Sequence, residues 1–158
     1  MRRFRFKQID VFTTAPFTGN PAAVFLDGNH LTTEEMQAIA QEMNLSETVF
    51  VLPPTVPNAD YRARFFSPRN ELPFAGHPTL ATAYAVISDG NLFNQQIPEV
   101  IYQECGIGTV AVLVEQQSSG LFFLMKQATP LCINVDISKQ QCATMLGCTD
   151  TDVMNYPA

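Results

Sequence analysis

The sequence predicts an α+β fold in which a strongly curved, mixed or antiparallel sheet wraps around one central apolar helix. Three observations lead there. Residues 79–87 carry no charge on any face, so a helix built from them has to be buried. Short apolar, β-branched and aromatic segments recur on both sides of that helix, bounded by glycine, proline and asparagine turns. Beyond it the segments are separated by links too short for helical crossovers, which favours hairpins.

Residues 4–12 open the chain as a strand, alternating apolar and polar side chains with period two through their first half. Turn residues fill 13–21, and the apolar run 22–26 makes a second strand ended by Asp27-Gly28-Asn29. Thr32 with Glu35 forms a capping box, and Met36, Ile39, Ala40 and Met43 recur at helical spacing, so residues 33–43 form a helix packed on the sheet. Asn44 supplies a left-handed stop, and residues 48–52 make a strand halted by Pro53-Pro54. Glu47 therefore sits at a helix-to-strand junction.

A further strand spans about 61–66, and 67–73 reads as loop because Pro68, Pro73 and the polar cluster between them interrupt a ladder. Pro78 suits the first turn of the central helix. Strands return at about 99–103, 108–115 and 120–126, with Gly106-Ile107-Gly108 as a turn. Beyond Pro130 a short helix covers 138–146, capped near Gly147, in a stretch too small to build its own core. The chain is thus expected to hold one domain over residues 1–130 with the start of something else attached.

A formal net charge of -6 leaves no positive stripe for a phosphate backbone, which argues against nucleic acid as a partner. The uncharged stretch 72–88 contains two prolines and falls short of a membrane span, and no signal-peptide apolar region follows the charged opening. A membrane partner is not expected, and a cytoplasmic location is. Cys105, Cys132, Cys142 and Cys148 form no CxxC, and His30 and His77 are the only histidines, so we expect free thiols, no metal and no cofactor.

Candidate chemistry gathers around His77. It immediately precedes Pro78 at the start of the buried helix, where free backbone N–H groups favour an anion or a carboxylate. The imidazole there is a hydrogen-bond donor or proton relay, or else a cap for local backbone. Glu47 is a candidate general base and acid, with an ordinary surface carboxylate as its bland alternative. Glu71 reads as loop support through a partner such as Arg69. Asn20 and Gly19, before Pro21, either present polar groups to a ligand or make a tight structural turn. Thr79 and Thr82 read first as capping or packing hydroxyls.

Five ordered motifs carry a resemblance: Gln8-Ile9-Asp10-Val11-Phe12-Thr13, Gly19-Asn20-Pro21-Ala22-Ala23-Val24, Leu45-Ser46-Glu47-Thr48, Phe66-Ser67-Pro68 with Glu71, and Phe74-Ala75-Gly76-His77-Pro78-Thr79. Together they resemble the N-terminal half of phenazine-biosynthesis PhzF-like proteins, whose fold is similar to that of diaminopimelate epimerase. The resemblance is strong over residues 4–87 and continues in pattern to about Pro130.

It implies two similar domains facing each other across a cleft, with residues 131–158 the truncated start of the second, and a homodimer. It also implies an isomerase or epimerase in which Glu47 moves a carbon-bound proton in a small, anionic, cyclic amino-acid-like substrate. His77 would bind or relay, and Asn20, Gly76, Pro78 and Thr79 would line the substrate site, with no cofactor or metal. Ala75 stands where related cysteine-dependent racemases carry a thiol, which disfavours two-thiol racemisation. The competing reading is a non-catalytic truncated or homodimerising binding domain, so enzyme status stays open at this point.

Overall fold

Neighbouring residues of one strand point to opposite faces, and here both faces are apolar. In β2 (Asn20–Phe25) and β3 (Glu47–Leu52), Ala22, Val24, Val49 and Val51 enter one core, while Ala23, Phe25 and Phe50 enter another. A sheet so patterned needs cover on both sides. The computed structural model, which describes residues 2–129 and 136–154, shows how that cover is supplied.

The chain divides into two compact units, Met1–Lys126 and Gln127–Ala158. In the first, β1 (Phe6–Val11), β2, β3, β4 (Tyr61–Phe66), β6 (Val100–Cys105), β7 (Gly108–Gln117) and β8 (Gly120–Met125) follow one another across a mixed sheet. The two-residue strand β5 (Glu71–Leu72) pairs with β4. Most neighbours are antiparallel, but β2 runs parallel to β3 and β4 parallel to β6. Parallel neighbours need a long crossover. The two crossovers contain α1 (Thr33–Met43) and α2 (Gly76–Asp89).

α2 is the buried helix that its uncharged sequence demands. Eight of its residues, from Pro78 to Ile87, are buried, and the helix touches β1, β2, β3, β4 and β8. Strands β1 and β8 stand at opposite ends of the strand order, so a single helix can meet both only if the sheet curls round it. Lys7 completes the seal by donating to the Ala85 carbonyl at 3.2 Å and to Ser88 Oγ at 2.9 Å near the C-terminal end of α2, where the helix dipole favours a cation. α1 covers the opposite face over β3 and β4. Its capping box joins Thr32 and Glu35, and Asn44 ends it at φ 49°.

On the sheet face that α1 covers, the rings of Phe6, Phe25, Phe50 and Phe66 form a row across four strands, with centroids 5.2, 5.1 and 5.5 Å apart. Such contacts exceed simple area burial in stability.

Several expectations need correction. The 67–73 segment is not loop throughout, because Ser67 closes a turn with Asn70 and leaves both prolines outside the two-residue ladder of β5. Glu71 is held by Arg64 rather than Arg69, through two bonds of 2.7 Å. β1 starts at Phe6 and stops before Phe12, which turns left-handed at φ 63° with its ring 76% exposed. Glu47 is already the first residue of β3.

The second unit contains α3 (Lys139–Leu146), capped by Ser138 with Gln141 and ended by Gly147 at φ 69°. A 3-10 turn follows at Asp150–Asp152. Pro130, the expected domain boundary, and Cys132 lie outside the described residues; Cys105, Cys142 and Cys148 are free thiols. Among the described residues no helix is long and apolar enough to cross a membrane.

Phe50 has no exposed surface at the centre of the aromatic row. Phe50→Ala should lower unfolding free energy by about 3–5 kcal/mol in denaturant titration. Phe17→Ala, at a ring 96% exposed, should change it by no more than about 0.5 kcal/mol.

Candidate active site

The inward face of β3 is set by Val49 and Val51, and two residues earlier the same face carries Glu47. The carboxylate therefore points toward the helix side of the sheet, at the end where α2 begins. Parallel pairing sets Ala22 of β2 opposite Glu47, so the Pro21 carbonyl lies beside it. The link before Pro21 is tight. A Cβ on Gly19 would sit 2.5 Å from the Val11 carbonyl oxygen, and only glycine lets Asn20 pair with Val11 there.

His77 is the second residue of α2. Its Nε2 lies 3.5 Å from Glu47 Oε2 and 3.4 Å from the Pro21 carbonyl oxygen. A carbonyl oxygen can only accept, so the imidazole proton on this face belongs on Nε2. The His77 side chain is 11% exposed and that of Glu47 is 20% exposed, a pair sunk into the wall but open at one side. Glu47 Oε2 itself is buried and, among the described residues, forms no hydrogen bond of good geometry. An unpartnered buried carboxylate oxygen is unfavourable for folding.

The helix start adds donors. Ala75 is the N-cap of α2 and makes no side-chain cap bond, so it leaves the first-turn N–H groups of Gly76 and His77 without a cap acceptor. Pro78 has no N–H to offer. A carboxylate, a donor imidazole and two backbone N–H groups thus converge at one end of the helix.

The six sequence candidates separate in space. Glu47 and His77 meet, and Gly76 adjoins them. Pro78 is buried in the helix underside. Thr79 is fully buried, and its hydroxyl donates to the Ala75 carbonyl at 2.8 Å, inside the fold. Asn20 is exposed at the start of β2 on the inward-facing register, and its carboxamide makes no hydrogen bond among the described residues. Sequence reading did not single out the Pro21 carbonyl, which no side-chain pattern can reveal. It also passed over Gln103 and Tyr61, although a glutamine between Ile101 and Cys105 is a polar residue at an inward strand position. Among the described residues no three His, Cys, Asp or Glu side chains gather as a metal site.

Two surface hollows, of about 350 and 400 Å³, lie elsewhere. The first is lined by Arg62, Arg64, Glu71 and Gly106, the second by Arg5, Asp27, Asp89 and Asn91 among others. The Glu47–His77 pair belongs to neither.

The phenazine biosynthesis-like protein family, PhzC-PhzF, matches residues 9–158. The chain belongs to this family. It is 48% identical over 115 residues to antisense-enhancing sequence 1 of Schizosaccharomyces pombe, covering 73% of this chain and 38% of that protein. It is 45% identical over 113 residues to the trans-2,3-dihydro-3-hydroxyanthranilate isomerase of Pseudomonas aeruginosa, covering 72% and 38%. A PhzF-family structure from Bacillus anthracis superposes with TM-score 0.86 at 33% identity, over 98% of this chain and 50% of that one. The chain therefore spans about half or less of the length of the relatives it matches. The family fold agrees with the α+β fold expected from the sequence, a strongly curved mixed or antiparallel sheet wrapped around a central helix.

An amide is less costly to bury than a carboxylate oxygen without a partner. Glu47→Gln should therefore raise unfolding free energy by about 1 kcal/mol, read as a higher denaturant midpoint at neutral pH.

Proposed function

We propose that this chain supplies the proton-transfer wall of a PhzF-like isomerase. Glu47 takes a proton from a ring carbon of a small, anionic, cyclic amino-acid-like substrate and returns it to another carbon. No net oxidation occurs. His77 orients the substrate or relays charge, and the N–H groups of Gly76 and His77 receive the anionic group or the charge that develops as the carbon–hydrogen bond breaks. Asn20, at the end of the inward register, borders the same site. The observation that carries this reading is the buried, unpartnered Glu47 Oε2 set 3.5 Å from His77 Nε2 at the helix start.

The substrate class rests on the family and on the Pseudomonas aeruginosa relative, which is named as the isomerase of trans-2,3-dihydro-3-hydroxyanthranilate. The same reading takes residues 1–130 as a first domain and 131–158 as the opening of a second, in a homodimer. A facing domain or subunit would complete the cleft.

The test is deuterium incorporation. With trans-2,3-dihydro-3-hydroxyanthranilate in deuterated water, the chain should place deuterium on a ring carbon. It should do so alone or with the remaining half of the family fold supplied as a separate polypeptide. Glu47→Gln should bind the substrate but exchange about 10²- to 10⁴-fold more slowly. Absence of wild-type exchange in both settings, with binding unchanged by Glu47→Gln, would sink the proposal in favour of a non-catalytic binding domain.

A further inference from the structure

Gln103 is completely buried on a strand face whose other members are Ile101 and Cys105. A primary amide in that setting needs a partner for its oxygen and for its nitrogen. Its Oε1 accepts the Tyr61 hydroxyl at 3.1 Å, and its Nε2 donates to Thr79 Oγ1 at 3.1 Å. Thr79 passes its own hydroxyl hydrogen to the Ala75 carbonyl at 2.8 Å. Because that single hydrogen is engaged by Ala75, the Thr79 oxygen is free to accept, and this sets the amide orientation of Gln103. All donors then point one way, from β4 through β6 into the first turn of α2. Tyr61 and Gln103 are register partners, so the chain of bonds starts from paired strands.

That first turn has few other ties. Ala75 provides no cap, Pro78 has no N–H, and the Thr79 N–H reaches the Ala75 carbonyl only at 3.3 Å. His77 lies midway along the segment that the Thr79 hydroxyl closes. Its contacts to Glu47 and Pro21 are 3.5 and 3.4 Å, at the long limit of hydrogen bonding, where a shift of a few tenths of an ångström makes or breaks the contact.

We infer that Gln103 is a positioning residue, which through Thr79 holds the start of α2 at the distance that keeps His77 between Glu47 and the Pro21 carbonyl. The inference deepens the proton-transfer reading and rests on it only for its rate measurement.

His30 and His77 are the only histidines, and His30 is exposed, so ring-proton NMR of the full chain has a built-in reference. Spectra at one pH compare wild type, Gln103→Leu, and Gln103→Leu combined with Tyr61→Phe. The double variant leaves no orphaned tyrosine hydroxyl, so it should regain much of the denaturant midpoint that the single variant loses. The His77 signals should shift and broaden in both variants while those of His30 stay fixed, and deuterium exchange should fall at least about 10-fold in both.

Wild-type His77 signals in the double variant would overturn the inference, as would exchange returning in step with the recovered midpoint. Either result would make Gln103 a packing element alone. Should Gln103→Leu fail to fold, the double variant carries the same comparison. If the wild-type protein exchanges nothing, the proton-transfer reading falls and the His77 signals alone decide the role of Gln103.

Discussion

Burial of a helix that has no polar face constrains everything else in this molecule. α2 buries eight of its residues and leaves the stripe of Leu80, Tyr84 and Ser88 open, so it must be covered on most sides, and the strands that cover it come from both ends of the sheet. Curvature follows from that demand. Once the sheet curls, its outer face needs separate cover over β3 and β4, which α1 and the row of phenylalanines provide. Two cores with one sheet between them account for the strict inward and outward alternation along β2, β3 and β4.

The site is a by-product of the same geometry. A buried helix brings its N-terminal turn to the rim of the sheet, where strand ends and uncapped N–H groups meet. The inward register of β3 begins there with Glu47 in place of a hydrophobic residue, and parallel pairing with β2 puts the Pro21 carbonyl alongside. A local violation of good packing, a carboxylate oxygen buried without a hydrogen bond, is tolerated because the surrounding helix and strands are over-determined by apolar contacts. The internal chain from Tyr61 through Gln103 to Thr79 is the opposite case. Its buried polar groups are mutually satisfied, which ties the helix start to two strands in one geometry.

Much of this was legible in the residues. The capping box of Thr32 and Glu35, the stop at Asn44, the hairpin turn at Gly106 to Gly108 and the burial of α2 all follow from local pattern, because each depends on neighbours within a few positions. Other features were not. β5 forms because Ser67 and Asn70 close a turn, and Glu71 chooses Arg64 because the antiparallel pairing of β4 and β5 brings the two side chains together, while Arg69 was merely closer in sequence. Neither choice is encoded by spacing alone.

The sequence by itself determined which segments become helices and, β5 apart, which become strands, that the helix at 76–89 is largely buried, and that Glu47 and His77 belong to a recurring set of motifs. Those are matters of side-chain period, charge and turn chemistry. Tertiary structure alone decided that Glu47 and His77 lie 3.5 Å apart, that Thr79 faces inward to Gln103 rather than toward the site, and that a backbone carbonyl at Pro21 joins them. The physical reason is register. Contacts between residues 30 or 56 positions apart are set by how β2, β3, β4 and β6 align around the helix, and that alignment is settled by closing both cores at once.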